Sequence, residues 1–239
     1  MINEAVARYM CYLKTDYRHE YKYLVSEADL TLLRARILPL MRRDVHQLRS
    51  DGYRVRSVYF DDIDDRFLRE NLEGLDSRIK YRIRAYDLDE RYICLETKYK
   101  RNNLSKKEQC VVSRGVCDDL LSGRFPSPSG GQPKPLRRLC LEAAASALRP
   151  AAVVEYFREA FVLRAGNVRV TFDRNIASSA HIGRFFDAGC PMTPALPANT
   201  HILEVKYDEL IPDYLVQAMD LGDLMQTPFS KYVYGRLPL

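Results

Sequence analysis

Three features of the sequence predict an α+β fold built on an antiparallel, β-rich sheet. Short segments of alternating polar and apolar residues recur along the chain, each bounded by turn residues. Helical spacing is confined to the stretches between strand groups and near the ends. The polar faces of the strands are mostly basic, which sets the sheet apart from one that merely meets water.

The 239 residues fit one domain, 1–239, with helical additions and a sizeable core. A hydrophobic share of 46% and a charged share of 29% exclude a disordered chain. No apolar run approaches the ~20 residues that span a bilayer. The opening MINEAVARYM lacks a basic region followed by an apolar one, so no secretory signal is expected. Six scattered cysteines, Cys11, Cys94, Cys110, Cys117, Cys140 and Cys190, form no C-x-x-C pair. That argues for a reducing, cytoplasmic setting and against a zinc site. The net charge of +5 suits an acidic partner, but placement says more than the total.

Residues 18–25 read as a strand. Ser26 to Asp29 form a capping box. Leu30, Leu33, Ile37, Leu40, Val45 and Leu48 follow at helical spacing, with Pro39 dividing or kinking that helix. Asp51-Gly52 is a turn, 54–61 a strand and 65–73 a short helix. Strands follow at 78–86, 92–100 and 104–112, the first two joined by a hairpin turn over 87–91. Helices at 115–121 and 136–148 flank the Pro/Gly/Ser loop 122–135. Strands at 152–163 and 167–174 make a hairpin through Ala165-Gly166-Asn167. A Pro-rich loop, 187–200, leads to a last strand at 201–207. A helix near 211–221 and the segment TPFSKYVYG close the chain.

Strand side chains alternate between faces. In 78–86, Arg78, Lys80, Arg82, Arg84 and Tyr86 oppose Ile79, Tyr81, Ile83 and Ala85. In 92–100, Glu96, Lys98 and Lys100 oppose Ile93, Leu95, Thr97 and Tyr99. In 168–173, Arg169, Thr171 and Asp173 oppose Val168, Val170 and Phe172. Glu204 and Lys206 oppose Leu203, Val205 and Tyr207, and Tyr156 shares a face with Arg158. One such strand alone is an ordinary sheet with a solvated face. The set is not, because rows of like charge on neighbouring strands repel. Stacked basic rows suit a polyanion, and if the sheet closes they line a wet tunnel, since unpaired ions in a dry one cost several kcal/mol each.

Glu20, Glu96 and Glu204 sit among these bases. A hard cation, Mg²⁺ or Mn²⁺, would use such carboxylates together with phosphate oxygens. The competing account is internal pairing: Glu20 with Lys22, Glu96 with Lys98 and Glu204 with Lys206.

Nine motifs in order then resemble one family. They are R-H-E-Y-K-Y (18–23), S-V-Y-F-D (57–61), K-Y-R-I-R-A-Y (80–86), L-E-T-K (95–98), S-K-K-E (105–108), Y-F-R-E-A-F (156–161), V-R-V-T-F-D (168–173), L-E-V-K (203–206) and S-K-Y (230–232). The chain resembles the polyphosphate polymerase domain of the vacuolar transporter chaperone complex, in its bacterial stand-alone form, within the triphosphate tunnel metalloenzymes. The resemblance implies a closed eight-stranded antiparallel β-barrel with flanking helices. It implies that Lys22, Arg82, Arg84, Lys98, Arg158, Arg169 and Lys231 bind phosphate, with Lys106 in the same role and Lys107 an alternative in the other strand register. Lys80 and Lys206 add substrate-binding charge on the same faces. Glu204 is the implied principal metal carboxylate, with Glu20 and Glu96 beside it, and Tyr156 and Ser230 are polar substrate contacts. Broader tunnel enzymes open with E-x-E-x-K, whereas Arg18 takes the first place here, before Glu20 and Lys22. That replacement leans away from a two-metal hydrolase and towards the polymerase branch.

The implied chemistry is transfer of the terminal phosphate of ATP, or another nucleotide triphosphate, onto inorganic polyphosphate. Its catalysis is mainly positioning and charge stabilisation. The terminal phosphate of a chain is already an anionic nucleophile and needs no general base. The histidines, His19, His46, His181 and His201, are read as surface or structural. The rivals are a triphosphate hydrolase of the same fold and a non-catalytic polyphosphate or inositol-phosphate binding module. Nucleic acid is disfavoured as a partner, because the aromatics do not interleave with the bases as a stacking platform does, and a closed tunnel excludes duplex. The resemblance leaves room for a separate membrane-protein partner that takes the product.

Overall fold

A computed structural model describes residues 17–237 except 48, 103 and 223. The amino-terminal reading, Cys11 and Leu48 therefore lie outside the described residues. Strand β1 (Arg18–Val25) leads to helix α1 (Glu27–Ile37), then β2 (Arg42–Arg43), β3 (Tyr53–Asp61) and helix α2 (Arg66–Leu72). Strands β4 (Ser77–Tyr86), β5 (Ile93–Arg101) and β6 (Leu104–Val112) precede helices α3 (Arg114–Leu121) and α4 (Lys134–Ser146). The long strands β7 (Arg149–Leu163) and β8 (Val168–Ser179) follow. Then come β9 (Thr193–Pro194), β10 (His201–Tyr207) and helices α5 (Asp213–Met219) and α6 (Lys231–Arg236).

Every strand pairing is antiparallel, in the order β2-β7-β3-β4-β5-β6-β1-β10-β8-β9. This corrects the expected closed eight-stranded barrel. The sheet has ten strands, and its order runs between two ends, β2 and β9, instead of forming a plain eight-membered ring. Both end strands are two residues long, too short to carry an alternating pattern, which is why the sequence does not announce them. β7 also pairs with β8 from Val153↔Ser179 to Leu163↔Val168, so the sheet is strongly curved about its polar face.

The layers are inverted relative to a simple globule. Apolar residues face outward under helices, and charged residues face the concave interior. One apolar cluster joins Val58, Phe60, Ile83 and Leu95 to Phe67 of α2, Leu120 of α3 and Leu139 of α4. A second packs Leu30, Leu33 and Ile37 of α1 and Leu215 of α5 against Phe172, Leu203 and Val205. Burying each such side chain stabilises by about 1.5–3 kcal/mol.

Helix α1 begins as its capping box dictates: Ser26 Oγ accepts from the Asp29 amide at 3.2 Å, and the Ser26 amide donates to Asp29 Oδ2 at 2.8 Å. It stops at Ile37, earlier than the apolar spacing suggests. Pro39 has no N–H to continue the ladder, and Val45 ends 83% exposed. Helix α4 starts on Pro135 in its first turn, where the missing N–H costs nothing. Gly52 has φ +109, and a Cβ there would collide with the Arg158 carbonyl oxygen, so the glycine lets the turn close against β7. Among the described residues no disulfide forms, and no helix is long and apolar enough to cross a membrane.

Candidate functional site

The concave face of the sheet encloses a cavity of about 760 Å³. Strand β4 supplies one wall, with Lys80, Arg82 and Arg84 at alternate positions. Lys98 comes from β5, Glu20 and Lys22 from β1, and Glu204 and Lys206 from β10. Arg158, Arg169, Ser230 and Lys231 also line it. Of the residues assigned a binding or metal role from the sequence, Glu96 and Tyr156 are not among its lining.

Lys107 stands opposite Lys98 in the ladder and shares its inward face. Lys106 stands opposite Tyr99, with Nζ 3.8 Å from Glu108, yet both lysines reach the cavity.

The carboxylates divide into two groups. Glu96 is completely buried. Arg82 Nε donates to its Oε2 at 2.6 Å, Lys107 Nζ to its Oε1 at 3.1 Å, and Arg84 Nη1 lies 3.6 Å away. Its pairing with Lys98 does not form. The register places Arg82 directly opposite Glu96, and a cross-strand neighbour is nearer than one two residues along. Burial would raise the Glu96 carboxyl, but Arg82, Arg84 and Lys107 together hold it well below the usual range.

Glu20 and Glu204 form the second group and share two lysines. Lys22 Nζ is 3.0 Å from Glu20 and 3.8 Å from Glu204. Lys206 Nζ is 2.6 Å from Glu204 and 3.9 Å from Glu20. Lys98 Nζ also donates to both oxygens of Glu20 at 2.7 Å. Against the cost of burial, Lys206 foremost, these cations keep both carboxyls well below their ordinary value. The pairings of Glu20 with Lys22 and of Glu204 with Lys206 are therefore present.

Among the described residues no group of three or more histidine, cysteine or acidic side chains could cage a metal. Two adjacent carboxylates suit a hard cation that brings phosphate oxygens and water as its remaining ligands. Glu204 and Glu20 fit that pattern. Glu96, locked under three cations, does not.

The arginines are held by a second tier that sequence reasoning only partly found. Arg158 makes a bidentate pair with buried Asp173 at 2.6 and 2.7 Å, and Lys231 Nζ meets the same carboxylate at 2.5 Å. Arg169 pairs with Asp44. Arg84 Nε donates to Ser57 Oγ at 3.2 Å and its Nη2 to the Tyr156 hydroxyl at 3.1 Å. Tyr156 sits at a register shift of β7, the kind of bulge that re-aims a side chain. Its ring lies 4.7 Å from Lys231 Nζ, so it backs the lining cations. The Tyr59 hydroxyl accepts from Arg82 at 3.1 Å.

Asp61, which ends S-V-Y-F-D, accepts from the Phe67 and Leu68 amides at 2.9 and 3.0 Å and from the Tyr232 hydroxyl. It caps α2 and ties down α6. The signal for all three roles was the motif itself, whose alternate residues Ser57, Tyr59 and Asp61 share one face.

The carboxyl-terminal segment docks on the cavity. Lys22 Nζ donates to the Phe229 carbonyl at 2.9 Å, and Lys80 Nζ to Ser230 Oγ at 2.8 Å. Lys80 makes no ion pair among the described residues. Burial, then Lys22 and Lys98, push its ammonium well below 10.5. Burial likewise brings Lys98 down from 10.5 to about 7, with Glu20 opposing the shift. The histidines stand apart from this chemistry, except that His46 lies on the cavity rim. His201 Nε2 faces Glu27 at 3.3 Å on the outer side.

The VTC domain family matches residues 17–239. Comparison with curated protein sequences finds no match. Among solved structures, a candidate adenylate cyclase of Bacillus halodurans is similar at 15% identity and a TM-score of 0.49, covering 85% of this chain and 87% of that one. A protein of Pyrococcus horikoshii is similar at 10% identity and 0.40, over 84% of each chain. The Mimivirus capping enzyme triphosphatase is similar at 10% identity and 0.39, over 90% of this chain and 92% of that one.

Proposed function

The chain belongs to the VTC domain family, and from that premise we propose that it transfers the terminal phosphate of ATP, or of another nucleoside triphosphate, onto an inorganic polyphosphate chain held in the basic cavity. The observation that carries this reading is Lys80, a largely buried ammonium with other cations for neighbours and no carboxylate paired to it among the described residues. A buried cation without a partner is costly. An oligophosphate supplies the missing charge.

Arg82 and Arg84 present forks that match phosphate oxygens, while Lys22, Lys80, Lys98 and Lys231 act as point charges. Their supports, Glu96, Tyr59, Ser57 and Asp173, fix the forks before substrate arrives, so little reorganisation remains at the moment of reaction. Glu204 and Glu20 would hold the divalent cation, Mn²⁺ or Mg²⁺. When bound it would neutralise phosphate charge and align the reacting oxygens. The acceptor is an anionic phosphate oxygen, so the absence of a placed general base among the described residues is no obstacle.

A second reading, hydrolysis of a short triphosphate within the same cavity, is favoured by the docked segment around Phe229 to Lys231, which takes up a donor of Lys22 and one of Lys80 and so leaves less of the lining to a long chain. Incubation with ATP and Mn²⁺ separates the readings. Long phosphate chains are expected. Free phosphate alone would favour hydrolysis, and neither product would leave a binding module.

A further inference from the structure

Strand β4 orders the lining of the cavity along one face. Lys80, Arg82 and Arg84 are followed by Tyr86, with Asp87 just beyond in the hairpin. Two residues of strand advance about 6.6 Å. The wall therefore runs from cations to an aromatic ring to a carboxylate within a few such steps. At the cationic end Lys80 meets Ser230 of the docked segment.

Tyr92, across the hairpin from Tyr86, is 46% exposed although it lines the cavity, and the two ring centroids are 6.3 Å apart. Tyr53 meets Tyr86 edge-on at 5.9 Å and fixes its plane. The Arg84 guanidinium lies 5.9 Å from the centre of the Tyr86 ring, so the last phosphate-facing fork neighbours the first ring.

A homopolymer of phosphate has no use for this change of chemistry. Rings offer it no charge, and Asp87 repels it. A nucleoside triphosphate has the same order as the wall: phosphates, then a sugar rich in hydroxyls, then a flat base. We propose that Tyr92, with Tyr86 behind it, stacks the nucleobase of a nucleoside triphosphate whose phosphates lie along Arg84, Arg82 and Lys80, with Asp87, whose Oδ1 accepts from the Arg54 amide at 2.8 Å, accepting from ribose hydroxyls through Oδ2. This rests on the phosphate-binding reading of the cavity. Stacking on a ring tolerates any base, because every base has a π-face. The platform separates nucleotides from bare phosphates and discriminates little among the bases.

The competing account is a cross-strand aromatic pair that only pins the hairpin. Affinities for ATP and for tripolyphosphate, measured on the same preparations together with the melting temperature, distinguish the two. Tyr92→Ala is expected to weaken ATP about tenfold or more, in line with the loss of one base–aromatic stack, and to leave tripolyphosphate affinity unchanged. Tyr92→Phe keeps the ring and is expected to restore ATP binding. GTP and CTP are expected to show the same dependence as ATP. An equal loss for ATP and tripolyphosphate, or no loss for either, overturns the platform while leaving the phosphate site intact. A wild-type chain that binds neither ligand overturns the phosphate site and the platform with it.

Discussion

The Lys80 ammonium donates to the Ser230 hydroxyl at 2.8 Å, so a half-buried cation of β4 leans on a neutral oxygen at the start of α6. A hydroxyl, which here also accepts from the Val233 amide, offers a dipole where a carboxylate would offer a full charge. On the phosphate-binding reading, an anionic ligand would supply the missing charge at this position.

Replacing that lysine should therefore separate stability from binding. Lys80→Met is expected to raise the melting temperature of the ligand-free protein by a few degrees, since about 1 kcal/mol moves a chain of this size by roughly 2–4 °C. The same change should weaken tripolyphosphate about tenfold or more. The folded-state pKa lies below the unfolded one, so the charged form opposes folding, and the penalty fades as pH rises towards 10.5. Thermal melts between pH 7 and 10 should bring wild type closer to the variant. A drop in melting temperature at pH 7 would contradict this account.

Lys98 should make ligand binding a proton-uptake reaction. Its ammonium is depressed to about 7, so at pH 8 to 9 it is largely neutral in the empty protein. A bound polyanion favours the charged form and draws a proton from solvent. Affinity for triphosphate is expected to fall as pH rises above about 7, by up to about tenfold per unit. Calorimetry in two buffers of different ionisation enthalpy reads the uptake directly, and Lys98→Met should abolish most of it. Equal heats in both buffers would remove Lys98 from the phosphate path.

Glu204 and Glu96 should behave differently when neutralised. Glu204→Gln is expected to abolish metal-dependent turnover while keeping measurable triphosphate affinity, because the surrounding bases remain. Turnover, affinity and melting temperature on one preparation decide the matter. A variant that loses stability but keeps wild-type metal-dependent turnover would show that Glu204 is a partner for Lys206 and nothing more.

Glu96→Gln is expected to act on the scaffold. It leaves Arg82, Arg84 and Lys107 around an uncharged amide, and breaking a buried ion cluster costs about 3–5 kcal/mol. The apparent metal constant of the folded fraction should not move. The folded-state pKa of Glu96 is depressed, so its contribution is present above the ordinary carboxylate value and is lost as pH falls through its own. The gap in melting temperature between variant and wild type should accordingly narrow in acid. A changed metal constant at neutral pH would return Glu96 to the metal site.

Much of this was legible in the alternation of the strands. Residues 104–112 and 201–207 are strands with the bounds their patterns suggest, and parity alone placed Arg82, Arg84, Lys98 and Glu204 on inward faces. What one strand's parity could not show is which strand lies opposite. Glu96 meets Arg82 because β4 and β5 are in that register, a non-local fact that spacing within L-E-T-K does not hold. The same gap left Lys106 and Lys107 unresolved until β6 was set against β5. The apolar spacing runs on past Pro39, the residue expected to divide or kink the helix, and α1 ends just before it, at Ile37. The closed eight-stranded barrel failed on β2 and β9, two-residue pairings that carry no pattern to read.

The two lysines shared by Glu20 and Glu204 have one further consequence. A lysine that turns to a phosphate leaves a carboxylate exposed to the next positive ion, and a cation seated on the carboxylates frees a lysine for the next phosphate. On the phosphate- and metal-binding reading, opposite charges would recruit each other through a common exchange of partners. Thermodynamic reciprocity then fixes the arithmetic: whatever factor an oligophosphate adds to the affinity for a divalent cation, the cation adds to the affinity for the oligophosphate.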